Sequence, residues 1–276
     1  ESKFRGGRMV STTASPRLNR LELGGAKLPT LLLLGAWAAL GLAVPVFSLL
    51  RWSVIGASEA DLGEVLRALA NSLGFAVAGG VVTSAVALAL AVVSIRYRTK
   101  FGALLARATW VTHSMPGIVV ALSLVFLAAN LLPAIYQSSF LVILAYLALF
   151  LPNALAALST PLSQSPLALD EISASLGLSR FETLRKVVIP IAGPGILAAT
   201  ALVTLTVLKE LPATLLLRPT GIETLATRLW SETSVNAFSA AAPYALLLVV
   251  LAGFPAWLLN RAIRKDLEPM EMERYQ

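Results

Sequence analysis

Cysteine is absent from this 276-residue chain, and histidine occurs once, as His113. The first absence excludes a disulfide framework and any thiolate metal site. The second leaves His113 without an imidazole partner, so a metal centre built on nitrogen donors is not expected. Its position in WVTHSMPGIVV suits packing or a backbone hydrogen bond. Charged residues make up only 13% of the chain, which is too little polar surface for a domain dissolved in water. No G-x-x-x-x-G-K-[ST] loop occurs, so the chain lacks the usual cradle for nucleotide phosphates. Paired carboxylates, a nucleophile with its base, and H-E-x-x-H are also missing, and nothing marks an enzyme working within the membrane.

What the chain has instead is apolar length. Hydrophobic residues make up 57% and the mean hydropathy is +0.78, values that belong in a bilayer. Charge-free runs cover 28–50, 68–95, 108–169, 187–208 and 233–260, and one span needs about 20 residues at about 1.5 Å of rise each. The run 108–169 must therefore fold back once, and Asn130, Pro133, Gln137, Ser138 and Ser139 supply the turn near its middle. This predicts an all-α membrane protein with six helices, near 28–50, 70–96, 108–131, 140–162, 190–217 and 239–262. The first run is too long for a signal-peptide core and reads as a true span. Residues 1–26 read as a flexible cytoplasmic tail or linker, and 27–67 as the first helix with an outer connector. A core domain follows over 68–264, including a loop at 163–190, and a cytoplasmic tail at 265–276. Within the connector, 52–67 reads as solvated chain or a short surface helix. Gly74, Ala76, Ala78, Gly79, Gly80, Ser84, Ala85 and Ala89 give the second helix small side chains suited to close packing inside a bundle.

The polar island PLALDEISASLGLSRFETLRKVVIP, residues 166–190, interrupts this apolar chain. Ser165 is an N-cap candidate with Pro166 in the first turn, Gly177 stops the helix, and Ser179 with Glu182 forms a capping box that restarts it. The expected result is helix, glycine corner, helix, with Pro190 marking the return into the membrane. If this island is cytoplasmic, six helices put both termini inside. Lys and Arg then divide 17 on inner segments, four on outer ones, and Lys209 within a span; the acidic residues divide nine, five, and Glu210 within a span. The basic residues carry the asymmetry, as the positive-inside rule expects. Topology thus accounts for the net charge of +7 and the pI near 10.1, and no nucleic-acid partner is implied.

Residue by residue, the island resembles the EAA loop of bacterial ABC importer permeases, written E-A-A, three residues, G, nine residues, I, one residue, L-P. Glu171, Gly177, Val187, Ile189 and Pro190 occupy those offsets, while Ile172 and Ser173 replace the two alanines. Downstream, Lys209 to Pro219 reads KELPATLLLRP and Thr224 to Ala226 reads TLA, which resembles the ferric-iron branch of these permeases. The likeness covers roughly 68–264 and looks like the second half of a fused two-half permease.

The resemblance implies a six-helix type I permease domain that moves ferric iron across the bacterial inner membrane by alternating access. It further implies a cytoplasmic coupling loop in which Asp170, Glu171, Ser173, Ala174, Gly177, Ser179 and Arg180 meet an ATPase. Its partners would be ABC ATPase subunits carrying ATP-Mg, a second permease half, a periplasmic or lipid-tethered binding protein, and membrane lipid. No cofactor is expected on this chain. Other small solutes (thiamine, phosphonate, polyamine or an oxyanion) fit the same loop. An ion-coupled secondary transporter would need ionisable groups within the membrane. Lys209 and Glu210 are the only charged residues well inside a predicted span, with Pro212 close behind. Adjacent residues diverge by about 100° around a helix, so they are not a facing pair. Glu210 is expected at the pathway or a helix contact and Lys209 snorkelling outward, as a lock between helices or a substrate contact. Neither is assigned as an iron ligand.

Overall fold

The computed structural model describes residues 24–55, 61–97, 99–164 and 168–253. The tail up to residue 23, the C-terminal tail and the Ser165–Pro166 cap lie outside them. Every regular element among the described residues is helical.

The unit that runs through Phe47 holds the start of α1 (Gly24–Ile55), which is longer than the 28–50 expected. A π-turn at Ala39–Ala43 interrupts it, and Leu31, Leu32, Leu33, Leu34 and Trp37 are all exposed. An apolar helix with no buried side reads as lipid-facing.

The second unit begins at Ser48 and is built on α2 (Leu62–Arg96). The expectation of a connector or separate surface helix up to residue 67 is corrected here. Asp61 caps the helix by accepting from the Gly63 amide at 2.8 Å, and Glu64 complements the positive end of its first turn. Helix formation therefore begins at Leu62 and runs without interruption into the span. Of the small residues expected to face the bundle, Ala76, Gly79, Gly80 and Ser84 are buried, while Gly74, Ala85 and Ala89 are exposed. Burial follows the helical repeat through Ser72, Ala76, Gly80, Thr83, Ala87 and Ala91.

The third span, expected as one helix over 108–131, is instead a broken pair. Helices α3 (Lys100–His113) and α4 (Gly117–Leu131) meet at a bend of 106°. Pro116 lacks an amide hydrogen and disfavours helical geometry at Met115, so α4 starts afresh with Pro116 as its N-cap. The turn expected at 130–139 is present: a short helix at Pro133–Ile135 and left-handed Gln137 (φ 52) lead into α5 (Ser139–Gln164).

After α6 (Ala168–Ser175) the chain enters α7 (Arg180–Leu208). The helix expected to restart after Ser179 and the span expected from 190 are one continuous helix, running from Arg180. A π-turn at Leu184–Val188 precedes Pro190; the wider turn absorbs the ring of a residue that has no amide hydrogen to donate. Helices α8 (Pro212–Leu217), α9 (Leu225–Ser234) and α10 (Phe238–Gly253) complete the described chain.

Among the described residues, four helices (α1, α2, α5 and α7) are long and apolar enough to cross a membrane, and the bent α3–α4 pair makes a fifth if it is one span. Helices α2, α5 and α7 form the core around Leu141, Tyr146, Leu158, Val203 and the small residues of α2.

Candidate functional site: a coupling loop clasped to the bundle

The expected helix, glycine corner and helix are present. At the end of α6 the Leu178 amide donates to the Ser173 carbonyl and the Gly177 amide to the Ala174 carbonyl, both at 3.0 Å. This is a Schellman closure with Gly177 in the left-handed region at φ 80. A Cβ at Gly177 would meet nothing within 4 Å, so the backbone conformation, not steric room, requires glycine. Ser179 and Glu182 form the capping box that opens α7, with the Ser179 amide donating to Glu182 Oε2 at 3.0 Å. Lys186 pairs with the same carboxylate at 3.1 Å. The Ser179 amide and the Lys186 ammonium hold Glu182 well below the usual carboxylate range, at about 2.

The loop's other predicted coupling residues divide between two faces. Ser173 is 4% exposed and its hydroxyl donates to the Leu169 carbonyl at 2.6 Å, so it faces inward and braces α6. Glu171 and Ala174 are exposed, as are Ile172, Leu176 and Phe181 at 56%, 75% and 71%. Three large apolar side chains on a polar loop are the feature that sequence periodicity missed.

Asp170 and Arg180 face α2. Arg96, the last residue of α2, places Nη2 2.8 Å from Asp170 Oδ1 and Nε 3.0 Å from Oδ2. The Arg96 side chain is 1% exposed. Its neighbour Tyr97 lies under the Arg180 guanidinium, 5.7 Å from the ring centroid, at cation–π range. One end of α2 thus holds both arms of the loop. Neither Arg96 nor Tyr97 was singled out from the sequence, because no local pattern links residues 74 positions apart.

The other candidates occupy a break in the backbone, not the helix interior expected over 190–217. Helix α7 stops at Leu208 and α8 starts at Pro212, leaving Lys209, Glu210 and Leu211 between them. Pro212 lacks the donor needed to continue the ladder, and Glu210 Oε1 accepts from the Ala213 amide at 3.1 Å. A Cβ on Gly117, at the start of α4, would lie 3.4 Å from the same oxygen. The carboxylate therefore sits where two broken helices begin, at the positive ends of their dipoles. Lys209 is exposed and, among the described residues, makes no ion pair. Thr214 joins the site to α5: it donates to the Glu210 carbonyl at 2.9 Å and shares a hydrogen bond of 2.6 Å with Tyr146.

Across the bundle, 218–232 is tied to the N-terminal end of α2. The Asn71 side-chain amide donates to the Glu223 backbone carbonyl at 2.9 Å, the Leu225 backbone amide donates to the Ser72 hydroxyl at 2.8 Å, and Arg228 pairs with Glu64. Asn236 is left-handed (φ 61) and follows α9. His113 is exposed, with its ring edge-on to Trp110 at 5.8 Å, and no cluster of acidic or histidine side chains that would hold a metal occurs among the described residues.

Comparison with known proteins places this architecture. Residues 84–266 match the family model described as the binding-protein-dependent transport system inner membrane component. The chain is 38% identical over 225 residues to the Fe(3+)-transport system permease protein FbpB 2 of Haemophilus influenzae, covering 80% of this chain and 44% of the relative. It thus spans less than half of that relative's length. An inward-facing structure of the MetNI methionine ABC transporter shares the fold at a TM-score of 0.56 and 19% identity, over 73% of this chain and 95% of the compared chain. With an all-helical bundle, a capped loop and a family match over most of its length, the chain belongs to the inner membrane components of binding-protein-dependent transport systems.

Proposed function

We propose that this chain is a permease half that moves ferric iron across the bacterial inner membrane, driven by partner ATPase subunits that carry ATP-Mg. The observation that carries the mechanism is the joining of the loop to the bundle. Its first arm is held by the Arg96–Asp170 pair and its second is continuous with α7. A motor can move membrane helices only through an element stiffly attached to them. Ile172, Leu176 and Phe181, beside Glu171 and Ala174, form the face offered to the ATPase. Lining of that kind, apolar at the centre with charge at its edge, suits a protein partner.

The cargo rests on the Fe(3+)-permease relative. A second permease half, from the same polypeptide or another, completes the pathway, and a periplasmic or lipid-tethered binding protein delivers the ion. Both termini face the cytoplasm, with the loop on that side and 218–232 on the outer side, as the charge asymmetry supports. The core domain takes in 68–264. In this reading Glu210 locks the two helix breaks beside the pathway and Lys209 reaches toward the bilayer surface.

Uptake of radiolabelled ferric iron into proteoliposomes holding the whole complex tests the proposal. Uptake is expected to need ATP, the ATPase and the binding protein. Uptake that persists without the ATPase would overturn it in favour of ion-coupled transport, and uptake of a different solute by the same assembly would overturn the cargo alone.

A further inference from the structure

Helix α2 makes side-chain contacts with both the coupling loop and the outer segment. It runs unbroken for 35 residues, about 50 Å at helical rise. At its inner end Arg96 grips Asp170 through two nitrogens, fixing orientation as well as distance. Between its ends it packs along α5 and α7 through small residues; a Cβ on Gly79 would lie 2.8 Å from the Tyr146 ring. At its outer end Asn71, Ser72 and Glu64 hold Glu223, Leu225 and Arg228, and Val65 and Ala68 pack with Leu225 and Tyr244.

Two other helices meet the loop: α5 carries Pro152 and Pro161 in its interior, each removing a rung of its hydrogen-bond ladder, and α7 does not reach as far. Helix α7 also continues from the loop, but it ends at Leu208, and the break at 209–211 separates it from the outer segment. A displacement carried along α7 is absorbed there, whereas one carried along α2 arrives.

The geometry points to α2 as the rod that carries movement of the coupling loop to the outer segment 218–234, with Arg96 as its positioning residue at the inner end. The inference rests on the ATP-driven importer reading. Arg96 is suited to the task because its side chain is buried, and a buried charge stripped of its partner is strongly disfavoured, so the pair stays made while the loop moves. Its place at the end of the π-turn Val92–Arg96 matters as well, since such a turn shifts the helical phase and sets the direction in which the last side chain projects. Packed interfaces of this kind switch between discrete arrangements instead of stretching.

The test uses the whole complex in proteoliposomes, with Ser234→Cys as the only cysteine of this chain. Maleimide labelling from the outer side is compared between nucleotide-free and vanadate-trapped states. The parent complex is expected to show a nucleotide-dependent change in labelling rate. Arg96→Ala should keep ATP hydrolysis, lose that change, and lower iron uptake about tenfold, within the range of ordinary coupling between sites. The double variant Arg96→Asp, Asp170→Arg should restore both labelling change and uptake, and ATP hydrolysis kept by the single variant while its labelling change is lost is what a merely structural pair would not give. If Arg96→Ala fails to accumulate, Arg96→Gln is read in the same way. A nucleotide-dependent labelling change that survives in the single variant overturns the rod. Absence of the labelling change in a parent complex that still takes up iron with ATP overturns the rod as well, whereas absence of ATP-driven uptake in the parent complex overturns the importer reading itself.

Discussion

The hydroxyl of Tyr146 lies 2.6 Å from that of Thr214, and a third atom fixes the direction of their hydrogen bond. Thr214 has one hydroxyl proton and gives it to the Glu210 carbonyl at 2.9 Å, so Tyr146 must donate to Thr214. The chain of hydrogen bonds ties α5 to the break between α7 and α8. Tyr146→Phe leaves Thr214 bonded to Glu210 and is expected to cost about 1 kcal/mol or less. Thr214→Val strands the buried Tyr146 hydroxyl and should cost about 1–3 kcal/mol. Thermal unfolding in detergent ranks the two; Tyr146→Phe proving the more damaging would refute the assigned direction.

Gly177 sits at φ 80 with open space where a Cβ would project. The penalty for replacing it is therefore conformational, about 1–2 kcal/mol for an ordinary residue, and smaller for asparagine, which tolerates this region. Gly177→Asn should retain most ATP-driven uptake and Gly177→Val should lose most of it, with membrane insertion unchanged in both. Equal uptake by the two variants would show that the corner is not what coupling depends on.

The corner was legible in the sequence because its chemistry is local: Gly177, Ser179 and Glu182 lie within six positions and each has a distinct backbone role. The class of fold was legible for a similar reason, since charge-free runs of fixed length need no partner to be recognised. The clasp was not, because Arg96 and Asp170 meet only after α2 and α5 have packed. Helix boundaries failed where proline acted in two ways. Pro116 and Pro212 break helices, whereas Pro190 is carried inside one by the π-turn before it. A pattern of apolar residues does not distinguish these outcomes. The same limit placed Glu210 within a span; its contact with the starts of two helices depends on both breaks.

Glycines of α2 that look alike in sequence are expected to respond with opposite sign. A Cβ on Gly80 would collide with the Thr204 hydroxyl and lie 3.1 Å from the Thr200 carbonyl of α7. Backbone cannot step aside cheaply, so Gly80→Ala should cost about 1–3 kcal/mol. Gly74 is exposed and has nothing within 4 Å. Gly74→Ala should be neutral or stabilising by up to about 1 kcal/mol, through the lower backbone entropy of alanine in the unfolded chain. Unfolding midpoints of the two variants, measured against the parent, check the contrast; destabilisation by Gly74→Ala equal to that by Gly80→Ala would mean that α2 does not pack on α7 through this face.

Glu182 lies at the loop end of α7, ahead of the charge-free stretch that begins at Val187, and its carboxyl is held at about 2 against an ordinary value of 4.5. A carboxylate whose pKa falls on folding stabilises the folded form above its unfolded value, and that contribution is lost progressively as pH drops from the unfolded value through the folded one. The capping box should therefore be fully made from about pH 8 down to about pH 5, and the loop should not loosen with moderate acidification. Hydrogen exchange of the 179–188 amides, corrected for the intrinsic pH dependence of exchange, is expected to show constant protection over that range. Glu182→Gln keeps an oxygen for the Ser179 amide but loses the Lys186 pair, so protection should fall at every pH by a similar factor. Protection in the parent chain that declines between neutral pH and about pH 5 would show that the Ser179 amide and Lys186 do not hold the carboxylate as described.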